Sequence, residues 1–243
     1  TMLAMIWRAK LQNMGWLVRP GERAQWQDRL GWIEGHVEDG KYHSPPGAMR
    51  SWLDTFDFKS KSVNGYNQGI YTATLMGAEQ LVLKVDPKAR TQAETGYRSY
   101  STDPKRLTLS SELPYQDVSA LFGEFLANHL FKQTVLPDQL VQGTIDSFKI
   151  RRENWPVLFN GEDYLSADHF HNEKDNSPGY YHNGGAWLAF SAAATRVAER
   201  RGITVPVSPR KLAQIALDTQ NAEYLITLRG APRPFDVARR ENT

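Results

Sequence analysis

DVSALFGEFLANHLFK, residues 117–132, carries the clearest helical signal in the sequence. Its apolar side chains recur at i, i+3 and i+4, the spacing that gathers them on one face of an α-helix: Val118, Leu121, Phe122, Phe125, Leu126 and Leu130. Asp117 is predicted to cap this helix at its N-terminus. Glu124 lies to one side of the apolar stripe. We expect it either to pair with a neighbouring cation or to bind polar groups at the floor of a cleft.

Further helices are predicted on both sides of this one. They cover residues 23–37, 67–84, 138–149, 186–201 and 208–228, and residues 1–17 also have helical character. Pro137 precedes one of them, Gly202 closes another, and Ser208-Pro209 supplies an N-cap followed by proline at the first helical position. No comparable set of alternating strands appears, so we predict an all-α fold of stacked helical hairpins.

Composition limits the classes of protein and of chemistry that the chain can represent. The chain has 243 residues, 40% of them hydrophobic, which predicts a single globular domain over residues 1–243. The formal net charge of +2 favours no nucleic-acid or membrane partner, and no apolar stretch approaches the roughly 20 residues of a membrane span. The absence of cysteine excludes disulfides, thiolate catalysis and cysteine-ligated zinc.

Long loops rich in aromatic residues are predicted between the helices, over residues 38–66, 101–116, 151–185 and 229–243. Long loops in a compact domain are usually functional or disordered, and these are too aromatic for disorder. Aromatic faces beside carboxylates and amides suit sugar rings, which present apolar C–H faces and a rim of hydroxyls. The alternative is that these aromatics fill the core.

The first candidate site is YHSPPGAMRSWLDTFDFKSKSVNGYNQG, residues 42–69. Trp52 could offer a platform to a sugar, and it could also desolvate the carboxyl of Asp54 and raise its pKa toward that of a general acid. Alternatively, Asp54 or Asp57 caps a turn. The candidate substrate contacts in this segment are Arg50, Trp52, Tyr66, Asn67 and Gln68, to which Glu124 of the helix at 117–132 is added.

The second candidate site is PGYYHNGGAW, residues 178–187, directly ahead of a predicted helix. Its two adjacent glycines allow a ligand to approach the backbone closely. The candidate substrate contacts are Tyr181, His182, Asn183 and Trp187. The alternative is a helix-entry turn with packed aromatics. Histidines 169, 171 and 182 fit no zinc-ligand spacing, so we predict no metal and no other cofactor.

The third candidate site is NAEY, residues 221–224, late in the last predicted helix. The carboxylate of Glu223 could face solvent, pair with Arg229, or point into a cleft. Glutamate is a common residue on solvated helix surfaces, so the segment alone does not decide between these alternatives.

Taken together, and in their order along the chain, these motifs resemble those of the six-hairpin glycosidases. PGYYHNGGAW is similar to the Y-H-N-G-G-x-W segment of these (α/α)6-toroid enzymes, which include amylo-α-1,6-glucosidase-like debranching enzymes and processing α-glucosidases. SWLDTF followed by YNQGIYTATLMGAEQL resembles their Trp-x-Asp loop and the helix after it. DVSALFGEFLANHLF and LPDQLVQGTIDSF resemble the next helical pair. The resemblance covers roughly residues 40–230.

The resemblance implies an inverting glycoside hydrolase that acts on oligosaccharides and is α-glucosidase-like. Asp54 matches the general acid of the Trp-x-Asp loop. Glu223 corresponds by its position to the general base, although Glu124 or Asp163 could take that role instead. In such enzymes one carboxyl protonates the glycosidic oxygen while the other activates water on the opposite face, which requires a separation of about 6.5–9.5 Å.

A complete toroid of this family has twelve helices, whereas six or seven are predicted here. The resemblance therefore implies a partial toroid, completed by another chain or by a further segment. Two alternatives are kept. One is a non-catalytic carbohydrate-binding protein that retains the cleft. The other is a toroid phosphorylase, for which Arg229, Arg233 and Arg239 would be candidate phosphate ligands.

Overall fold

The computed structural model describes residues 1–45, 64–101, 106–108, 119–147 and 186–205, with the shorter pieces 207–208, 210–212, 214 and 225–226. Within these residues the chain is mostly helical, in agreement with the all-α prediction. The helices with described bounds are α1 (Met2–Asn13), α2 (Glu22–Glu34), α3 (Gly65–Gln80), α4 (Pro87–Arg98), α5 (Phe122–Phe131), α6 (Asp138–Ser147) and α7 (Leu188–Arg200).

Two short antiparallel ribbons accompany the helices. In the first, β1 (Val37–Glu38) pairs with β2 (Lys41–Tyr42), and in the second, β3 (Ala186–Trp187) pairs with β4 (Leu225–Ile226). In the second ribbon Ala186 lies opposite Ile226, and Trp187 lies opposite Leu225. This ribbon joins the chain just ahead of α7 to a segment 39 positions further along.

Helix α3 is the centre of the packing. Twelve of its 16 residues are buried, which is more than a surface helix with one apolar face would bury. The reason is that α1, α4 and α5 all pack against it. The core formed in this way contains large side chains from several helices, among them Met5, Leu30, Tyr71 and Leu75.

Glycines allow the closest helix contacts. Where α3 crosses α5, Gly69 faces Gly123, and a Cβ built on Gly69 would lie 2.9 Å from the Cα of Gly123. A Cβ on Gly123 would overlap the backbone of Gly69. Where α3 meets α1, a Cβ on Gly77 would lie 3.4 Å from the Cα of Ile6. The α3–α5 crossing therefore depends on the absence of both side chains.

Several predicted helix limits are wrong. Residues 119–121 form a turn, so the helix predicted from 117 begins at Phe122, and Asp117 lies outside the described residues. Two other helices end earlier than predicted, α2 at Glu34 and α3 at Gln80. The helix predicted over 208–228 does not reach its expected end, because residues 225–226 form β4.

Other predicted features are confirmed. Helix α6 begins at Asp138, and Gly202 follows α7 with a φ of +66°. Ser208 caps the next helical residues, since its Oγ accepts a hydrogen bond from the backbone N–H of Lys211 at 3.2 Å. Helix α4 was not predicted, although Asp86 caps it and Pro87 stands in its first turn.

Helices α1 and α2 are tied together by one carboxylate. Glu22 accepts hydrogen bonds from the Arg8 guanidinium, from the backbone N–H of Arg19 at 3.0 Å and from the Trp26 indole at 3.1 Å. The hydrogen bond from Arg8, followed by those from Arg19 and Trp26, lowers the pKa of Glu22 from 4.5 to about 2. Ionised Glu22 therefore stabilises this pair of helices.

Glu22→Gln is expected to reduce stability in a pH-dependent way. Because the folded-state pKa lies below the usual 4.5, the stabilisation is fully present above pH 4.5 and is lost as the pH falls toward 2. The variant should therefore unfold at a lower temperature than the wild type at pH 7, and the difference should close between pH 4.5 and 2. Thermal unfolding followed by circular dichroism measures this. Asp28→Asn, at an exposed position on α2, is the control, and a Glu22→Gln deficit independent of pH would contradict the assignment.

Candidate functional site

The N-termini of three helices meet at one end of the bundle. Tyr66 of α3 stacks on Phe122 of α5 with ring centroids 5.7 Å apart, and Phe190 of α7 packs edge-on against these two rings at 5.7 and 5.5 Å. Phe125 stacks on Phe122 in turn, with their ring centroids 6.1 Å apart. These four half-buried side chains, called the aromatic cluster below, bring the first turns of α3, α5 and α7 together.

The start of α3 is fixed by an asparagine cap. The Asn64 side chain accepts a hydrogen bond from the backbone N–H of Asn67 at 2.8 Å, and the Asn67 amide donates to the Ser44 hydroxyl at 3.0 Å. Tyr66 and Asn67 are both half-buried at this helix end, where the sequence predicts them. Their positions suit a binding surface, although both side chains also contribute to local packing.

Gln68 is not available to a substrate, which corrects its prediction as a contact. It is fully buried, and its carbonyl oxygen accepts from the backbone N–H of Tyr42 at 2.8 Å. Its amide nitrogen donates to the carbonyls of Gly40 and Ala93, each at 2.9 Å. Gln68 therefore joins the first ribbon and α4 to α3, and its role is structural.

Glu124 is likewise internal, so the first of its two predicted roles is the correct one. It is fully buried and forms an ion pair with Arg201. The backbone N–H groups of Val135 and Leu136 also donate to it, at 3.1 and 3.0 Å. Burial raises the pKa of the Glu124 carboxyl, and Arg201 and the two N–H groups act against that shift. A carboxylate enclosed in this way contacts neither substrate nor attacking water, which removes Glu124 as an alternative to Glu223.

The other predicted site residues belong to the segments 46–63, 148–187 and 215–243. Those outside the described residues are Arg50, Trp52, Asp54, Tyr181, His182, Asn183 and Glu223, together with the alternatives Asp57 and Asp163, the histidines 169 and 171, and the arginines 229, 233 and 239. Trp187 is described through its backbone in β3.

The described residues that adjoin these segments lie close together. Residues 46–63, which contain Trp52 and Asp54, lead to Asn64 at the start of α3. PGYYHNGG leads to Ala186, and Glu223 is two positions ahead of Leu225, which pairs with Trp187 across the second ribbon. All three segments therefore join the end of the bundle that carries the aromatic cluster.

Phe122, Phe125 and Phe190 are the members of the aromatic cluster that the sequence does not predict as site residues. Phe122 was interpreted as part of an apolar helix face. A usable signal exists, because Tyr66, Phe122 and Phe190 each lie within the first turn of a helix, and the sequence predicts a long aromatic loop ahead of each of these helices. Within the part of the chain that the structure describes, no group of three or more histidine, aspartate or glutamate side chains could hold a metal ion.

No protein-family model matches the chain, and no curated protein matches its sequence. Across the described ranges, no helix combines the length and the apolar character needed to cross a membrane.

Proposed function

We propose that the chain provides the sugar-binding and acid/base part of a six-hairpin, toroid-type glycoside hydrolase that cleaves oligosaccharides with inversion. The observation that carries this proposal is the meeting of the α3, α5 and α7 N-termini in the aromatic cluster. The three segments with candidate catalytic motifs all connect to that end of the bundle.

In the proposed reaction Asp54 is the general acid. Its carboxyl donates a proton to the glycosidic oxygen as the bond to the anomeric carbon breaks. Glu223 acts as the general base, removing a proton from a water molecule that attacks the anomeric carbon from the opposite face. The product therefore has the inverted anomeric configuration, and the two carboxyls need to be about 6.5–9.5 Å apart to leave room for the water.

The aromatic cluster supports a carbohydrate as the ligand class. Half-buried tyrosine and phenylalanine rings present apolar surface of the kind that the C–H side of a sugar contacts, and the polar Asn67 follows Tyr66 in the first turn of α3. Helix N-termini also point backbone N–H groups outward, and these suit hydroxyl oxygens as acceptors. An α-glucoside is the expected substrate, because the motifs are similar to those of α-glucosidase-like enzymes.

The proposal is tested with a panel of gluco- and manno-oligosaccharides of defined linkage, with products followed by proton NMR from the first minutes. We expect hydrolysis of at least one α-glucoside, with the opposite anomer appearing before mutarotation equilibrates the product. Initial release of the anomer with retained configuration would contradict the inverting mechanism.

The same panel separates the alternative functions. Turnover that requires inorganic phosphate and releases a sugar phosphate would identify a phosphorylase. Calorimetric binding of an oligosaccharide without turnover, with or without phosphate, would identify a non-catalytic binding protein. Either result would replace the hydrolase proposal.

A further inference from the structure

A cavity of about 510 Å³ lies between the end of α1 and the start of α2. Its walls include two indoles, three guanidinium groups and one carboxylate: Trp16, Trp26, Arg8, Arg19, Arg29 and Glu22. The volume is typical of sites for small molecules, which range over roughly 300–1,000 Å³.

The cavity is far from the aromatic cluster. Helix α1 contacts the C-terminal part of α3, where Ile6 packs on Gly77 and the Gln12 amide donates to the carbonyl of Gln80 at 3.0 Å. The aromatic cluster lies at the opposite end of α3, beside Tyr66. Gly65, next to the aromatic cluster, and Gly77, which contacts α1, are about 18 Å apart along the axis of α3, because an α-helix rises 1.5 Å per residue. The cavity therefore lies toward the opposite end of α3 from the aromatic cluster, which carries the proposed function.

One wall of the cavity is the loop between α1 and α2, and its backbone is constrained. Gly15 and Gly21 bound it with φ values of +90° and +80°, a conformation that favours glycine. Arg8 donates to the carbonyl of Leu17 at 2.8 Å, and the backbone N–H of Glu22 donates to the carbonyl of Arg19 at 3.1 Å. The loop is thus fixed at both ends and in the middle.

The side chains that line the cavity have a net positive charge. Three arginines against one glutamate leave an excess of +2 in the wall. Glu22 is already occupied by Arg8, Arg19 and Trp26. Among the described residues, Arg19 and Arg29 have no carboxylate partner, and the guanidinium carbon of Arg29 lies 4.5 Å from the centre of the Trp26 ring. The Nη1 of Arg8 is buried and lacks a hydrogen-bond partner.

The rim of the cavity is apolar and exposed. Trp16 is 64% exposed and Leu17 is 89% exposed, although both are large hydrophobic residues. An indole face left open beside unpaired guanidinium groups suits a ligand that has a flat apolar ring and a negative charge. The ring would cover Trp16, and the anionic group would accept hydrogen bonds from the arginines.

We propose that this cavity binds a small organic anion built on a planar ring, such as an aromatic carboxylate. The carboxylate accepts hydrogen bonds from the guanidinium of Arg19, and the ring stacks on Trp16. The Glu22 carboxylate does not contact the ligand, because two negative charges repel each other. It remains paired with Arg8.

The test uses two probes that share a ring and differ in charge, 1-naphthaleneacetate and its neutral amide, 1-naphthaleneacetamide. Isothermal titration calorimetry of the full chain at low salt should give one site, with the acid bound about tenfold more tightly than the amide, as expected for charge-assisted hydrogen bonds. Equal affinity for the two probes, or no binding of the acid at concentrations up to about 5 mM, would overturn the proposal.

Variants then locate the site. Arg19→Gln should reduce the affinity for the acid to that for the amide, and Trp16→Ala should weaken both probes about fivefold or more. Arg23→Gln and Trp32→Ala are matched controls, since these exposed residues of α2 do not line the cavity, and they should leave both affinities unchanged. All four positions are exposed, so circular dichroism should show an intact fold. Equal losses in the variants and their controls would also overturn the proposal.

Discussion

Asp54→Asn is expected to lower kcat for oligosaccharide hydrolysis by about 10³-fold, because asparagine cannot donate the proton that the leaving oxygen needs. General acid catalysis contributes typically 10²- to 10⁴-fold. KM should change little, since the amide has nearly the same shape as the carboxyl. The measurement is the initial rate on the best substrate of the panel. A second rate on a dinitrophenyl glycoside, whose leaving group needs no proton, should fall far less.

Two further variants make this test specific. Asp57→Asn changes a second carboxylate of the same segment and should retain most of the activity. Glu223→Gln should lose activity on both kinds of substrate, because an activated leaving group does not replace the base. Full activity of Asp54→Asn on the natural substrate would show that Asp54 is not the acid.

Gly123→Ala is expected to reduce the free energy of unfolding by about 3 kcal/mol or more, at the upper end of what overpacking usually costs. The new Cβ would overlap the backbone of Gly69, and backbone atoms cannot rotate away as a flexible side chain can. Helix α5 would have to separate from α3, the most buried helix described. Urea denaturation followed by circular dichroism gives the free energy.

Gly31→Ala is the matched control for this prediction. Gly31 also lies within a helix, α2, but a Cβ there meets nothing within 4 Å. Alanine should therefore raise the stability by up to about 1 kcal/mol, because it favours the helix over the unfolded chain. If both variants changed the stability by similar amounts, the close α3–α5 crossing would not be responsible.

The fold was predictable where local patterns govern it. Apolar periodicity located α3, α5 and α6, and serine and proline signals located the start of the helix after Ser208. Helix α4 was missed because its sequence, PKARTQAETGYR, has few apolar residues, although Asp86 and Pro87 marked its start. The second ribbon could not be predicted, since its two residue pairs are 38 and 40 positions apart in the chain and no local pattern links them.

The candidate site was predictable to a lesser extent, for a similar reason. Gln68 is predicted as a contact because it lies at a helix N-terminus, and Glu124 because it lies to one side of an apolar helix stripe. Their actual partners are distant in sequence: the carbonyl of Ala93 is 25 positions from Gln68, and Arg201 is 77 positions from Glu124. A sequence pattern identifies residue types with hydrogen-bonding capacity, but only the packed chain determines which groups use that capacity.

The ion pair between Glu124 and Arg201 also bears on how the chain could be divided. The Arg201 guanidinium also donates to the carbonyl of Leu136 at 2.7 Å and to Asp138 at 3.0 Å, so one side chain joins the ends of three helices. Two fragments produced by a cut between residues 147 and 186 would each keep one half of this pair. Neither half is stable when buried alone, because an uncompensated buried charge costs several kcal/mol. Such fragments should reassociate selectively with each other, which makes that interval a suitable point for a split-protein reporter.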